Sequence, residues 1–207
     1  VLMQEANFKI ELVIGEDCST DNTRKICELY ANNYPDVIKL LPSEKNLGLK
    51  ENYIRTLKSC SGKYVAYCEG DDYWVDNKKL QLQYDFLEKN PDFSLVHHDD
   101  FIQNERAYSY EVYSEKIQNA TTEDIIPTHF ISSLSLFFRN IFKPEHYDLI
   151  KKAGCMDLGT ELILSLYGKF HYIDKKFGVY RLHPGGVTAS YAGNIRRTFD
   201  NIIYYNA

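Results

Sequence analysis

Short β-branched apolar runs alternate, in the first half of the chain, with stretches whose apolar residues recur every three or four positions. Residues 10–14 (I-E-L-V-I) are followed by Gly15 and the polar cluster Glu16-Asp17-Cys18-Ser19-Thr20-Asp21, which reads as a buried strand emptying into a loop. Ile26, Leu29, Tyr30 and Tyr34 then fall at helical spacing, with Thr20 or Asp21 available as a cap and Pro35 as a stop. Residues 37–41 predict a second strand. Asn46-Leu47-Gly48 turns into a helix that carries Leu49, Tyr53, Leu57 and Cys60 on one stripe and ends at Ser61-Gly62. Residues 63–68 predict a third strand running into Glu69-Gly70-Asp71-Asp72-Tyr73-Trp74. A helix with Leu80, Gln83, Tyr84 and Leu87 stops at Asn90-Pro91, and a fourth strand spans residues 93–97.

This alternation argues for an α/β fold with a mostly parallel, Rossmann-like sheet and helices on both faces. Ligands in such sheets bind beyond the carboxyl ends of the strands, where the polar clusters after Ile14 and Cys68 lie. Past Asp100 the pattern loosens. Residues 103–118 are polar and Tyr-rich, residues 132–138 read as a strand, residues 145–153 and 160–166 as helices, and residues 170–173 and 179–182 as strand-like. His183-Pro184-Gly185-Gly186 is a loop by composition. Without a linker or repeat, residues 1–207 form one domain, with a ligand-binding half over 1–100 and an elaboration over 101–207.

Composition narrows the function. With 24 Lys+Arg against 29 Asp+Glu the net charge is −5, which argues against nucleic acid as partner. Five scattered cysteines with no Cys-x-x-Cys pair indicate neither a disulfide framework nor a zinc site, so a reduced, cytoplasmic chain is expected. No apolar run approaches the ~18–20 residues of a membrane span.

The sharpest chemical feature is Asp71-Asp72 at the mouth of a strand. Two adjacent carboxylates repel, and a hard divalent cation relieves that repulsion while leaving positions open for phosphate oxygens. The plain alternative is a solvated Asp-Asp turn. Glu16-Asp17 ends the other strand on the same edge, and its alternative is helix capping, which Ser19, Thr20 and Asp21 already supply. His97-His98-Asp99-Asp100 is read as a strand end, because adjacent strand residues point to opposite faces and the two histidines cannot easily share one ion.

E-L-V-I-G-E-D-C-S-T-D-N-T resembles the strand-to-helix segment of family 2 glycosyltransferases, and C-S-G-K-Y-V-A-Y-C-E-G-D-D-Y-W-V-D-N-K-K-L-Q-L-Q resembles their DxD-type metal segment. Asn46-Leu47-Gly48, residues 155–169 and Tyr180-Arg181-Leu182-His183-Pro184-Gly185-Gly186 look similar to bacterial members. The resemblance implies a GT-A nucleotide-diphospho-sugar transferase fold, with residues 1–100 as the nucleotide-sugar half and 101–207 as the acceptor side. It makes Asp17 and Asp71 contacts to base and ribose, Asp72 the ligand of Mg²⁺ or Mn²⁺, Asp157 the catalytic base, and Arg181 and His183 part of a loop over the donor, His183 as phosphate or metal contact. Glu161 is the alternative base, and helix capping the alternative role of Asp157.

The implied function is inverting transfer of a sugar, expected from a UDP-linked donor, to a carbohydrate or lipid-linked acceptor in surface-polysaccharide synthesis, by a cytoplasmic protein at the inner membrane face. Members open with a strand and loop that have no counterpart before Val1, so the first strand is expected to be missing, leaving its two neighbours with unpaired edges. A non-catalytic nucleotide-sugar-binding or interaction module is therefore the competing reading. A nucleotidyltransferase is disfavoured, because no Gly-rich basic loop lies between Val1 and Gly15.

Overall fold

The apolar triplets Leu12–Ile14 (β1) and Ile38–Leu40 (β2) pair in parallel, Leu12 opposite Ile38 and Ile14 opposite Leu40, with α1 (Thr23–Asn33) as the crossover between them. In this computed structural model, residues 1–104, 107–112, 117–126 and 131–186 are described. The chain continues through α2 (Leu49–Lys58), β3 (Tyr64–Ala66), β4 (Tyr73–Trp74), α3 (Lys79–Lys89), β5 (Phe93–Asn104) and β6 (Ala107–Val112). Next come α4 (Thr122–Ile125), a 3₁₀ turn (Ser133–Ser135), β7 (Phe137–Arg139), α5 (Pro144–Lys152), α6 (Met156–Ser165) and β8 (Lys169–Leu182).

The larger sheet has the order β3-β7-β5-β8-β4, with β6 also on β5. β5 and β8 run parallel, whereas β3–β7, β5–β7, β4–β8 and β5–β6 are antiparallel. The sheet is thus mixed where the alternation predicts it mostly parallel. Strand–helix alternation implies a parallel neighbour only when the crossover returns beside its own strand, and β7 and β4 instead insert next to strands distant in sequence. Both faces are covered, as predicted. Leu95 and Phe138 pack with Ile54, Leu57, Ile150 and Leu164 of α2, α5 and α6, while Val96 and Phe137 turn to Leu80 and Leu87 of α3.

Four expectations change. The four residues His97 to Asp100 lie inside β5, which continues to Asn104, and all four are buried. Residues 170–173 and 179–182 belong to one strand, β8. Of the Tyr-rich stretch 103–118, β5 and β6 claim part as a hairpin, and residues 105–106 and 113–116 lie outside the described residues. The stripe Ile26, Leu29, Tyr30 and Tyr34 on α1 is exposed, at 44–58%, because the β1–β2 ribbon under the helix is two strands wide and nothing else among the described residues covers it.

Among the described residues no ladder joins β1 to β3, so each keeps one sheet edge without a strand partner. What ties the two sheets is side-chain chemistry. Glu11 accepts from the Ser61 amide, the Ser61 hydroxyl (2.9 Å) and the Gly62 amide (3.0 Å), and Lys39 Nζ donates to Ser59 O at 3.0 Å. Helix α2 adds a close crossing at Gly15, where Asn52 Nδ2 donates to Gly15 O at 2.6 Å and Arg55 Nη2 to Glu16 O at 2.8 Å. No helix among the described residues is long and apolar enough to cross a membrane.

A Cβ on Gly15 would lie within 1.9 Å of Thr56 Oγ1 and 3.1 Å of Thr56 Cβ. Gly15→Ala is therefore expected to destabilise the fold by roughly 1–3 kcal/mol in urea unfolding, and adding Thr56→Ala to recover part of the loss. An additive double variant would show that the crossing does not depend on this contact.

Candidate functional site

The loop after β1 brings Asp17 to the start of α2. Asp17 Oδ1 accepts the Leu47 amide and Oδ2 the Gly48 amide, both at 2.8 Å, while Asn46 Nδ2 donates to Asp17 O at 2.9 Å. A carboxylate there satisfies amides at the entrance of a helix and sits at the positive end of its dipole. Gly48, the N-cap, has φ of +80°, a backbone state that glycine enters at least cost. Asp17 thus ties down the entrance of α2, a different helix from α1, which the sequence left to Ser19, Thr20 or Asp21 to cap.

After β3 the chain must cross the ends of β7 and β5 to reach β8, against which β4 pairs with Tyr73 opposite Val179. That crossing carries Glu69, Asp71 and Asp72. Asp72 is buried, and its Oδ1 accepts the backbone amide of Arg181 at 2.8 Å, while its Oδ2 is enclosed without a hydrogen-bond partner. Asp71 is more open: its Oδ2 lies 3.0 Å from His183 Nε2, and its carbonyl accepts from Arg181 Nε. Four of the residues singled out in the sequence, Asp71, Asp72, Arg181 and His183, therefore form one knot across 109 or more positions of chain. Among the described residues no hydrogen bond or ion pair joins Asp17 to it.

Glu69 belongs to the same edge and escaped the sequence reading. Its Oε1 accepts from Ser133 Oγ at 2.5 Å and its Oε2 is buried without a hydrogen-bond partner. Burial pushes its pKa up to about 8, and the charge of Asp72 adds to the effect, against the Ser133 hydroxyl. Burial likewise pushes Asp72 up to about 6, opposed by the Arg181 amide. The available signal was a carboxylate two positions before Asp71 at a strand end, masked by the more conspicuous Asp71-Asp72 pair.

On the far side, α6 begins at Met156 with Cys155 as its N-cap. Asp157 is therefore in the first turn rather than at the cap, and its Oδ1 accepts the Leu158 amide at 2.9 Å and faces the Cys155 thiol. It is half-buried, and its charge acts on Glu69, Tyr53 and Tyr67. Glu161, one turn further, is completely buried beside Thr160, which shares a 2.9 Å hydrogen bond with Tyr53. Of the two carboxylates only Asp157 keeps some exposure to solvent.

Among the described residues no group of three His, Cys, Asp or Glu side chains is arranged to hold a metal ion. Asp71 and His183 nonetheless present one carboxylate oxygen and one imidazole nitrogen side by side at a partly open surface, a donor set that suits Mg²⁺ or Mn²⁺ when phosphate oxygens complete the shell. Asp72, turned inward to the Arg181 amide, fits that task less well.

Comparison with known proteins identifies the family and the fold. The family model described as Glycosyl transferase family 2 matches residues 1–144. An uncharacterized protein of Mycobacterium tuberculosis is 27% identical over 198 residues, covering 95% of this chain and 56% of that protein, so the chain spans about half the length of such relatives. Among solved structures, TarS residues 1–349 from S. aureus in complex with UDP-GlcNAc superposes with a TM-score of 0.65 at 22% identity, over 89% of this chain and 54% of that one. The mannosyltransferase PcManGT from Pyrobaculum calidifontis, in complex with GDP-Man and Mn²⁺, gives a TM-score of 0.65 at 18% identity, over 95% and 55%. At these identities the two structures show the fold, which is that of GT-A glycosyltransferases.

The raised pKa of Glu69 sets a pH dependence. The folded chain holds this proton more tightly than the unfolded chain, whose carboxyl titrates near 4.5, so stability falls as pH rises from about 4.5 to about 8. Glu69→Gln, which keeps an acceptor for Ser133, is expected to flatten that slope and to be more stable than the parent above pH 8, by up to a few kcal/mol. Urea unfolding from pH 5 to 9 in EDTA checks this, and parallel curves for the two proteins would refute it.

Proposed function

Because the chain belongs to Glycosyl transferase family 2, we propose that it transfers a sugar, with inversion, from a nucleoside-diphosphate donor to an acceptor hydroxyl. The observation that carries the reading is the knot of Asp71, Asp72, Arg181 and His183 at the carboxyl edge of the sheet, beside Glu69, whose carboxyl feels the charges of both Asp72 and Asp157. Asp71 and His183 would hold a Mg²⁺ or Mn²⁺ ion, with Asp72 fixing the loop that carries them. Bound there, the ion supplies Lewis-acid stabilisation of the charge that develops on the departing diphosphate.

The remaining work falls to side chains of this chain. Asp17 has lone pairs beyond those used by Leu47 and Gly48, and orients the nucleobase by accepting from a ring N–H. Arg181 is anchored to Asp71 O through Nε, which leaves its terminal nitrogens to face phosphate oxygens. Asp157 takes the proton of the acceptor hydroxyl as its oxygen bonds to the anomeric carbon and the bond from that carbon to the diphosphate oxygen breaks. A single displacement from the side opposite the leaving group inverts the anomeric centre.

UDP is the donor nucleotide favoured by the motif resemblance, and the same resemblance supports a carbohydrate or lipid-linked acceptor in surface-polysaccharide assembly at the cytoplasmic membrane face. The solved relatives bind different nucleotides, so donor identity rests on assay.

In the full-length protein, incubated with UDP-, GDP- and dTDP-sugars and Mn²⁺, release of nucleoside diphosphate is the expected activity. Asp157→Asn should lower turnover by about 10²–10⁴-fold and leave nucleotide binding intact, while Asp71→Asn and His183→Ala should weaken nucleotide binding only when Mn²⁺ is present. Parent-like turnover in Asp157→Asn, together with its loss in Glu161→Gln, would move the base to Glu161. Nucleotide binding without release from any donor would favour a non-catalytic module.

A further inference from the structure

Behind the knot, α3 opens with a lysine that no solvent reaches. Lys79 is fully buried, and a buried ammonium is tolerated only with acceptors or an opposing charge. Its Nζ donates to Gln83 Oε1 at 2.8 Å and lies 4.4 Å from the centroid of the Trp74 ring. Gln83 is itself fixed, with Nε2 donating to Ser135 O at 3.0 Å and Val96 O at 3.3 Å. Burial pulls the Lys79 pKa down to about 7, a shift that the charge of Asp100 on β5 only partly opposes, and the same carboxylate acts on Asp72.

Asp100 is also fully buried and accepts no well-formed hydrogen bond. His98 Nδ1 is 3.3 Å from its Oδ1 but is directed at Asp99 O, 2.8 Å away. What the carboxylate does touch is the backbone of β8. Asp100 pairs with Gly178 across β5 and β8, and Trp74 pairs with the same glycine from β4. A Cβ on Gly178 would sit 2.4 Å from Asp100 Oδ1 and 2.6 Å from Leu134 Cδ2. Trp74, Gly178 and Asp100 therefore form a row across three strands, with Lys79 against the Trp74 face. Three residues beyond that row the same strand presents the Arg181 amide to Asp72.

We propose that Lys79 and Asp100 are positioning residues for the donor site: buried at the two ends of the Trp74–Gly178–Asp100 row and touching no substrate, they seat residues 178–182 so that the Arg181 amide meets Asp72 and His183 meets Asp71. An apolar residue at position 79 would fill the space with less desolvation cost. The Lys79 amine is set in place by Gln83 and Trp74 rather than by anything in the site, and from behind Trp74 it supports the row in which the Asp100 carboxylate lies over Gly178. The inference rests on the proposed reading of this strand end as a nucleoside-diphosphate site.

In the full-length protein, Lys79→Met, Asp100→Asn and the double variant are compared with the parent by hydrogen–deuterium exchange at the Arg181 amide and by calorimetric titration of UDP, GDP and dTDP with Mn²⁺. Each single variant is expected to exchange the Arg181 amide roughly tenfold faster and to bind the nucleotide preferred by the parent roughly tenfold more weakly, with α2 keeping its protection. The double variant should lose no more than either single one, because the two residues act through the same row. Should Lys79→Met fail to fold, Asp100→Asn, which keeps the shape, and Gly178→Ala, which pushes on the carboxylate from β8, carry the same expectation. Parent-like exchange at Arg181 in both overturns the proposal, as does a loss of protection spread evenly over α2 and β1. A parent that binds none of the three nucleotides refutes the donor-site reading instead, and the exchange at Arg181 still decides the positioning role.

Discussion

The hydrogen bond from the Arg181 amide to the Asp72 carboxylate closes the fold on itself, since it joins the segment that leaves β3 to the far end of β8, 109 residues later. In the sheet order, β7 and β5 separate those two strands. The connecting segment is therefore drawn across the strand ends, and β4, two residues long, fastens it there. Glu69, Asp71 and Asp72 gather at one edge because they ride on this crossing. A carboxylate buried beside others is unfavourable, and the raised pKa values of Glu69 and Asp72 record that cost. The surrounding apolar layers, with Leu87, Leu95, Leu134, Leu136 and Phe177 fully enclosed, must hold the segment in place against it.

The same edge divides the work between two supports. Asp17 stands on the narrow β1–β2 ribbon and is held by the entrance of α2, whereas the Asp71–His183 pair stands on the wide sheet. Between them the connection runs through α2 and a few side chains, Glu11, Lys39, Asn52 and Arg55, rather than through a ladder. On the proposed reading, base recognition and diphosphate recognition would be built on different sheets, and Gly15 packs directly against Thr56 of the helix between them.

Much of the first hundred residues was legible because local pattern and burial agree there: Tyr53 and Leu57 on α2, and Leu80, Gln83 and Leu87 on α3, are buried as their spacing predicts. The pattern misled where a partner, not the period, decides the outcome. The stripe of α1 reads as core but has no cover among the described residues, and His97 to Asp100 read as a strand end but are buried by β8 and α3. The site motifs were legible as a set, yet which aspartate faces His183 depends on how the crossing twists at β4, and adjacency in sequence carries no such information. Glu69 was hidden for a similar reason: its burial is created by Ser133 and the strand ends beneath it, residues that lie more than sixty positions away.

β8 also departs from simple alternation, with consequences for how this protein can vary in length. Its register against β5 jumps from Ile173 opposite His98 to Lys176 opposite Asp99 and then to Gly178 opposite Asp100, and Phe177, Gly178 and Val179 are buried in succession. The strand therefore already carries surplus residues around Asp174 and Lys175, both exposed, and this is the point where insertions or deletions can be absorbed as a larger or smaller bulge. Beyond Gly178 there is no such slack. A single residue gained or lost there would swap the two faces of the strand, taking the Arg181 amide away from Asp72 and carrying His183 past Asp71. Natural variation in the length of this strand should accumulate on its charged middle and leave its last residues toward Asp71 and Asp72 unchanged in spacing.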